Sequence, residues 1–94
     1  MREARARKIY EERVVRDSLA RLAGRLDLRA LPFSDEELTT LARRSREAFR
    51  RPKSGKARLE RCMAQLVKRY GTPPVTRVVN ALEAINNEIG YEEK

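Results

Sequence analysis

RRSREAFRRPKSGKARLERCMAQLVKR, residues 43–69, is the stretch on which the reading of this chain turns. It contains eleven of the 22 basic residues but only two of the 14 acids, Glu47 and Glu60. Its excess of positive charge is therefore slightly larger than the +8 of the whole chain, and everything outside it is close to neutral. Charge gathered in this way is the electrostatic footprint of a nucleic-acid binder. The charges are also interleaved with apolar residues at helical spacing. Leu59, Cys62, Met63, Leu66, Val67 and Tyr70 share one face, and Arg58, Arg61, Lys68 and Arg69 form a basic arc beside it. Upstream, Leu38, Leu41, Ala42, Ser45, Ala48 and Phe49 share one face, opposite Arg43, Arg44, Arg46, Arg50 and Arg51. Between the two patterns stands Pro52-Lys53-Ser54-Gly55, a turn signal in which Ser54 is expected to cap the following helix.

The flanking segments read as helices too. Ser34-Asp35-Glu36-Glu37 fits a capping box, with Glu37 reaching back to the Ser34 amide, and Phe33 and Leu38 fit a hydrophobic staple. Capping accounts for the three adjacent acids better than a metal site does. Pro32 biases the residues before it away from helix, which makes residues 28–33 a connector. Before it, Val15, Leu19, Leu22, Ala23 and Leu26 form a stripe that is clean only in the second half of a long first helix. Ile9, Tyr10 and Val14 point elsewhere. They read as a solvated first stretch or, with less weight, as an apolar patch for another subunit. Arg2, Arg5, Arg7 and Lys8 form a basic arm diluted by Glu3, Glu11 and Glu12. After Gly71, Thr72 is expected to cap a fourth helix whose apolar face is Val75, Val78, Val79, Leu82, Ile85 and Ile89. The expected fold is all-α: a single domain over residues 1–94, built as a small four-helix bundle with a long N-terminal helix. The helices are expected at about residues 3–27, 35–51, 55–70 and 73–89.

Enzymatic constellations are missing. The chain has no histidine, the commonest general base and metal ligand, and its one cysteine has no partner for a disulfide. Cys62 sits on an apolar face and reads as a small core residue. No cofactor or metal is expected, and the protein is read as not an enzyme. Lys53-Ser54-Gly55-Lys56 has part of a phosphate-loop pattern. It lacks the first glycine, where Arg50 stands, and the hydroxyl that would hold magnesium, where Ala57 stands. A nucleoside-triphosphate site is rejected, while a seat for a single phosphate at that helix start is kept. The first residues lack the apolar run of a secretory signal, and no stretch is long enough to span a membrane. A reducing intracellular setting, cytoplasmic or nucleoid-associated, is expected.

The leading expectation is a small, basic, non-enzymatic nucleic-acid-binding protein, acting alone or as a small subunit of a larger nucleoprotein complex. It would touch phosphates through a basic helical hairpin. The candidate residues are Arg43, Arg44, Arg46, Arg50, Arg51, Lys53, Ser54, Lys56, Arg58, Arg61, Lys68 and Arg69. Aromatic residues are few and scattered, which disfavours stacking on splayed bases and leaves backbone contact as the main mode. Two alternatives stand beside this reading. One is an interaction module for an acidic protein. The other is a divergent helix-turn-helix around Gly71, with Thr76, Arg77 and Asn80 facing base edges. A membrane-surface role is weaker, because the large apolar residues are committed to the core.

Overall fold

The helix patterns and the Gly/Pro breaks between them set the architecture. The computed structural model describes the backbone of residues 2–90 and the side chains of residues 11–90. It is an all-α bundle of four helices: α1 (Arg2–Arg25), α2 (Asp35–Arg50), α3 (Pro52–Tyr70) and α4 (Thr72–Ile89). Among the described residues there is no strand, and no helix is long and apolar enough to cross a membrane. The basic arm at Arg2, Arg5, Arg7 and Lys8, and the side chains of Ile9 and Tyr10, lie outside the described side chains.

Helix α1 stops at Arg25, two residues before the end expected from its periodicity. Asp27 takes the chain out of it. Its carboxylate accepts from the Arg29 amide at 3.2 Å and caps a short 3-10 turn at Leu28–Ala30. The α2 start is the capping box its sequence spells. The Ser34 hydroxyl accepts from the Glu37 amide at 3.1 Å, and the Glu37 carboxylate accepts from the Ser34 amide at 2.9 Å.

The junctions differ from expectation. Pro52 is the first residue of α3, so Lys53, Ser54 and Gly55 lie inside its first turn, and Ser54 makes no side-chain cap. A proline at this position lacks an N–H that the helix would leave unused anyway, and its fixed φ suits the helix. Arg51 alone separates α2 from α3. Gly71 alone separates α3 from α4, at a φ of +92°, where a side chain would be strained. Thr72 is consequently the first residue of α4 and not its cap.

Helix α2 packs against all three other helices. The core combines Val14, Val15 and Leu22 of α1, Leu38, Leu41 and Ala42 of α2, Leu66 of α3, and Val75, Val78, Leu82, Ile85 and Ile89 of α4, with Phe33 from the connector. Leu22, Leu41, Leu82 and Ile85 are fully enclosed, each contributing about 1.5–3 kcal/mol through burial. Val14 is part of this core, so it is not available to a separate interface patch with Ile9 and Tyr10. The apolar stripe of α1 is wider than its periodicity indicates. Ser18 is buried between the two valines and Leu22, while Ala23 is exposed.

Candidate nucleic-acid interface

Helices α2 and α3 form an antiparallel hairpin held at both ends. At the open end, Glu37 gathers the ties. Besides the Ser34 amide, its carboxylate accepts from the Tyr70 hydroxyl and from Arg69 Nη1 at 3.0 Å. Tyr70 in turn meets the edge of Phe33, ring centroids 5.1 Å apart and nearly perpendicular. At the closed end, Gly55 lies against the α2 backbone. A Cβ there would fall 2.8 Å from the Ala48 nitrogen and from the Glu47 carbonyl carbon and oxygen. Gly55 is thus required for close helix approach, whereas its sequence context reads as a turn. The hairpin is a rigid base for whatever its outer side chains do.

The twelve candidate residues fall into three groups. Arg43, Arg51, Lys53, Lys56, Arg61 and Lys68 are exposed, and among the described residues none of these six forms an ion pair. Lys53, Arg61 and Lys68 recur at helical spacing with Ala57 and Ala64 between them, so they line the outer side of α3. A second group is tied to carboxylates. Glu47 holds Arg44 of its own helix at 3.7 Å and Arg58 of α3 at 3.6 Å, which ties the two helices' basic arcs together. Arg69 is engaged by Glu37, and Arg50 lies 3.9 Å from Glu11 of α1. All four keep surface access, Arg50 the least at 21%. Pairs this exposed are weak and exchange readily for other anions.

The third group is a correction. Arg46 is only 3% exposed. Its guanidinium lies over the Phe49 ring, 5.4 Å from the centroid, inside the bundle. The helical wheel puts Arg46 with the solvated arginines, but α2 is covered by α1 on that side, so the side chain cannot reach a phosphate. Ser54 changes role as well. It is exposed within the first turn of α3, where the amides have no intrahelical acceptor, but its hydroxyl does not cap the helix.

Around Arg46 a cavity of about 140 Å³ is lined by Arg43, Arg46, Arg50 and Arg51 together with Glu11, Glu47 and Val15. Among the described residues this lining holds four guanidinium groups and two carboxylates. A surface groove of about 600 Å³ lies at the other end of the hairpin. It presents Glu36 and Glu37, which repel phosphate. Cys62 also lines it, and burial pushes its thiol above the ordinary value, partly offset by Arg44, so it is not a reactive thiolate. Among the described residues no group of three or more His, Cys, Asp or Glu side chains is placed to hold a metal.

The α3–α4 junction is shorter than the turn of a usual helix-turn-helix. Such a motif joins its helices through a turn of roughly 3–4 residues, and here Gly71 alone makes the corner. Thr76, Arg77 and Asn80 are exposed or partly exposed. Farther along α4, Glu88 is engaged by Arg21 at 3.5 Å and by Arg25, which fixes the end of α4 to α1.

Periodicity passes over the roles of Glu47 and Asn86, though it does place Ser45 on the apolar face of α2. Glu47 is a single acid in a basic run, yet it clamps two arginines. Ser45 and Asn86 are polar residues at core positions, 6% and 2% exposed. The signal that marks them is polarity on an apolar stripe, which is costly unless it is used or satisfied. No family model matches this chain, and no curated protein or solved structure is detectably similar to it.

Proposed function

We propose that this chain is a non-enzymatic nucleic-acid-binding protein that grips the phosphate backbone with the α2–α3 hairpin, alone or as a small subunit of a larger nucleoprotein assembly. One observation supports this reading above the others. Six exposed cations (Arg43, Arg51, Lys53, Lys56, Arg61 and Lys68) stand without a carboxylate partner among the described residues, on a hairpin whose two ends are locked. Arg44 and Arg58, held by Glu47, add two guanidinium groups that a phosphate can recruit. Contacts of this kind position a protein on nucleic acid without reading its sequence. The planar guanidinium fork suits phosphate oxygens. A cytoplasmic or nucleoid setting belongs to the same proposal.

The test is fluorescence anisotropy with duplex DNA, single-stranded DNA and RNA at two salt concentrations, using wild type and the double variant Arg61→Glu/Lys68→Glu. Both positions are exposed and away from the core, so the variant is expected to fold. Binding that weakens at least tenfold on reversal is the expected result. Absence of binding to every nucleic acid at low salt overturns the proposal and favours an acidic protein partner.

A further inference from the structure

Beside the hairpin, where α4 crosses α2 and α3, lies a second cavity of about 230 Å³. Its walls include Phe49, Leu59 and Val79. Two of its polar side chains come from opposite helices, Ser45 of α2 and Asn86 of α4. Both residues are more than nine-tenths buried, and neither the Ser45 hydroxyl nor the Asn86 side-chain carbonyl has a hydrogen-bond partner. An unsatisfied buried polar atom costs about 1–3 kcal/mol, and two beside one cavity are a costly arrangement for a core. Lys56, one of the exposed cations of the interface, stands on the same cavity, as does the exposed carboxylate of Glu83.

From these features we infer that the cavity accepts one unpaired nucleobase, an inference that rests on the phosphate-binding reading above. The chemistry matches on each side. The volume is below the roughly 300–1,000 Å³ of pockets for drug-sized ligands, which suits a single heterocycle. Apolar and aromatic walls take the faces of a ring, and stacking on such walls is tolerant of sequence. Turned into the cavity, the Asn86 carbonyl accepts from a ring N–H or exocyclic amine, and the Ser45 hydroxyl donates to or accepts from the neighbouring edge atom. Lys56 is placed for the phosphate of the same nucleotide. An unpaired base enters at the lowest cost, because no base pair has to be broken. The protein therefore favours bulged or single-stranded sites over continuous duplex.

The experiment compares a fully paired duplex, the same duplex with a one-nucleotide 2-aminopurine bulge, and the same duplex with an abasic bulge. The chain contains no Trp, so probe emission is read without indole background. The base-containing bulge is expected to bind about tenfold tighter than either of the others. Its probe is expected to become shielded from acrylamide quenching on binding. Asn86→Leu is expected to abolish that excess while leaving paired-duplex affinity unchanged. Val79→Phe, which fills the cavity from its wall, is expected to do the same and covers the case in which Asn86→Leu fails to fold. Equal affinity for the abasic and base-containing bulges, or a bound probe as quenchable as the free one, overturns the pocket while leaving the phosphate reading standing. Binding to none of the three at low salt overturns both.

Discussion

The Tyr70 hydroxyl, at the last residue of α3, lies 2.8 Å from one carboxylate oxygen of Glu37 and 3.1 Å from the other, in the first turn of α2. The Ser34 amide is the chief influence holding this carboxyl below its ordinary value. Burial opposes it, and Tyr70 and Arg69 add to the lowering. A carboxyl whose folded pKa is depressed releases its proton more readily folded than unfolded. Its contribution is complete above the unfolded value near 4.5 and is lost as pH falls through the lower folded value. Urea denaturation at pH 7 and about pH 3 is expected to show wild type losing more stability on acidification than Glu37→Gln. Tyr70→Phe is expected to cost about 1–2 kcal/mol at pH 7 and less at the lower pH. Parallel pH profiles for wild type and Glu37→Gln would contradict this account.

Two glycines predict opposite signs for one substitution. Gly55→Ala places a methyl 2.8 Å from backbone atoms of Glu47 and Ala48, which cannot rotate away. It is expected to destabilise by about 1–3 kcal/mol, despite alanine's better helix propensity. At Gly24, within α1, a methyl group would meet nothing within 4 Å. Gly24→Ala is expected to stabilise by about 0.5–1 kcal/mol. Thermal melts followed by circular dichroism read both.

Arginines 46 and 61 separate folding from binding. Arg46→Glu buries a carboxylate at a 3%-exposed position beside Glu47 and is expected to remove the cooperative melt or lower Tm steeply. Arg61→Glu alters a solvated position on α3 and is expected to leave Tm within a few degrees while weakening nucleic-acid binding. An Arg46→Glu protein that melts like wild type would mean that the guanidinium is not inside the bundle.

Salt dependence counts the contacts. If about five cations neutralise phosphates, log affinity for duplex falls against log salt with a slope near −4 to −5, and each Lys or Arg removed from the interface lowers that slope by about one. Glu47→Gln acts in the other direction. It frees Arg44 and Arg58 from their shared carboxylate, and a severalfold gain in affinity at low salt is expected. An affinity below wild type would show that the clamp positions those arginines for binding.

How far the sequence alone can be read is clearest in α2. Its start is legible, because Ser34 and Glu37 satisfy each other's backbone amides locally, and so is its apolar face from Leu38 to Phe49. The fate of Arg46 is not. A helical wheel distinguishes a buried face from a solvated one, but α2 is packed by three helices, and which flank α1 covers depends on tertiary contact. Ser54 and Gly55 show the complementary limit. Both are common turn residues, and Pro52 begins a helix as readily as it ends one, so local chemistry does not distinguish a four-residue turn from a one-residue junction. The cap made by Glu37 is local and readable, but its reach to Tyr70, 33 positions along the chain, has no local signature.

The one-residue junctions also fix the rotational phase of the molecule. With only Arg51 between α2 and α3, and only Gly71 between α3 and α4, the chain has no slack in which to absorb a change of length. One residue inserted after Arg51 would turn α3 by about 100° about its own axis relative to α2. The outward row of Lys53, Arg61 and Lys68 would then swing toward a neighbouring helix, and Gly55 would leave the contact that only a glycine can make. Insertions and deletions here thus act as a change of orientation applied to a whole charged surface, with no side chain altered.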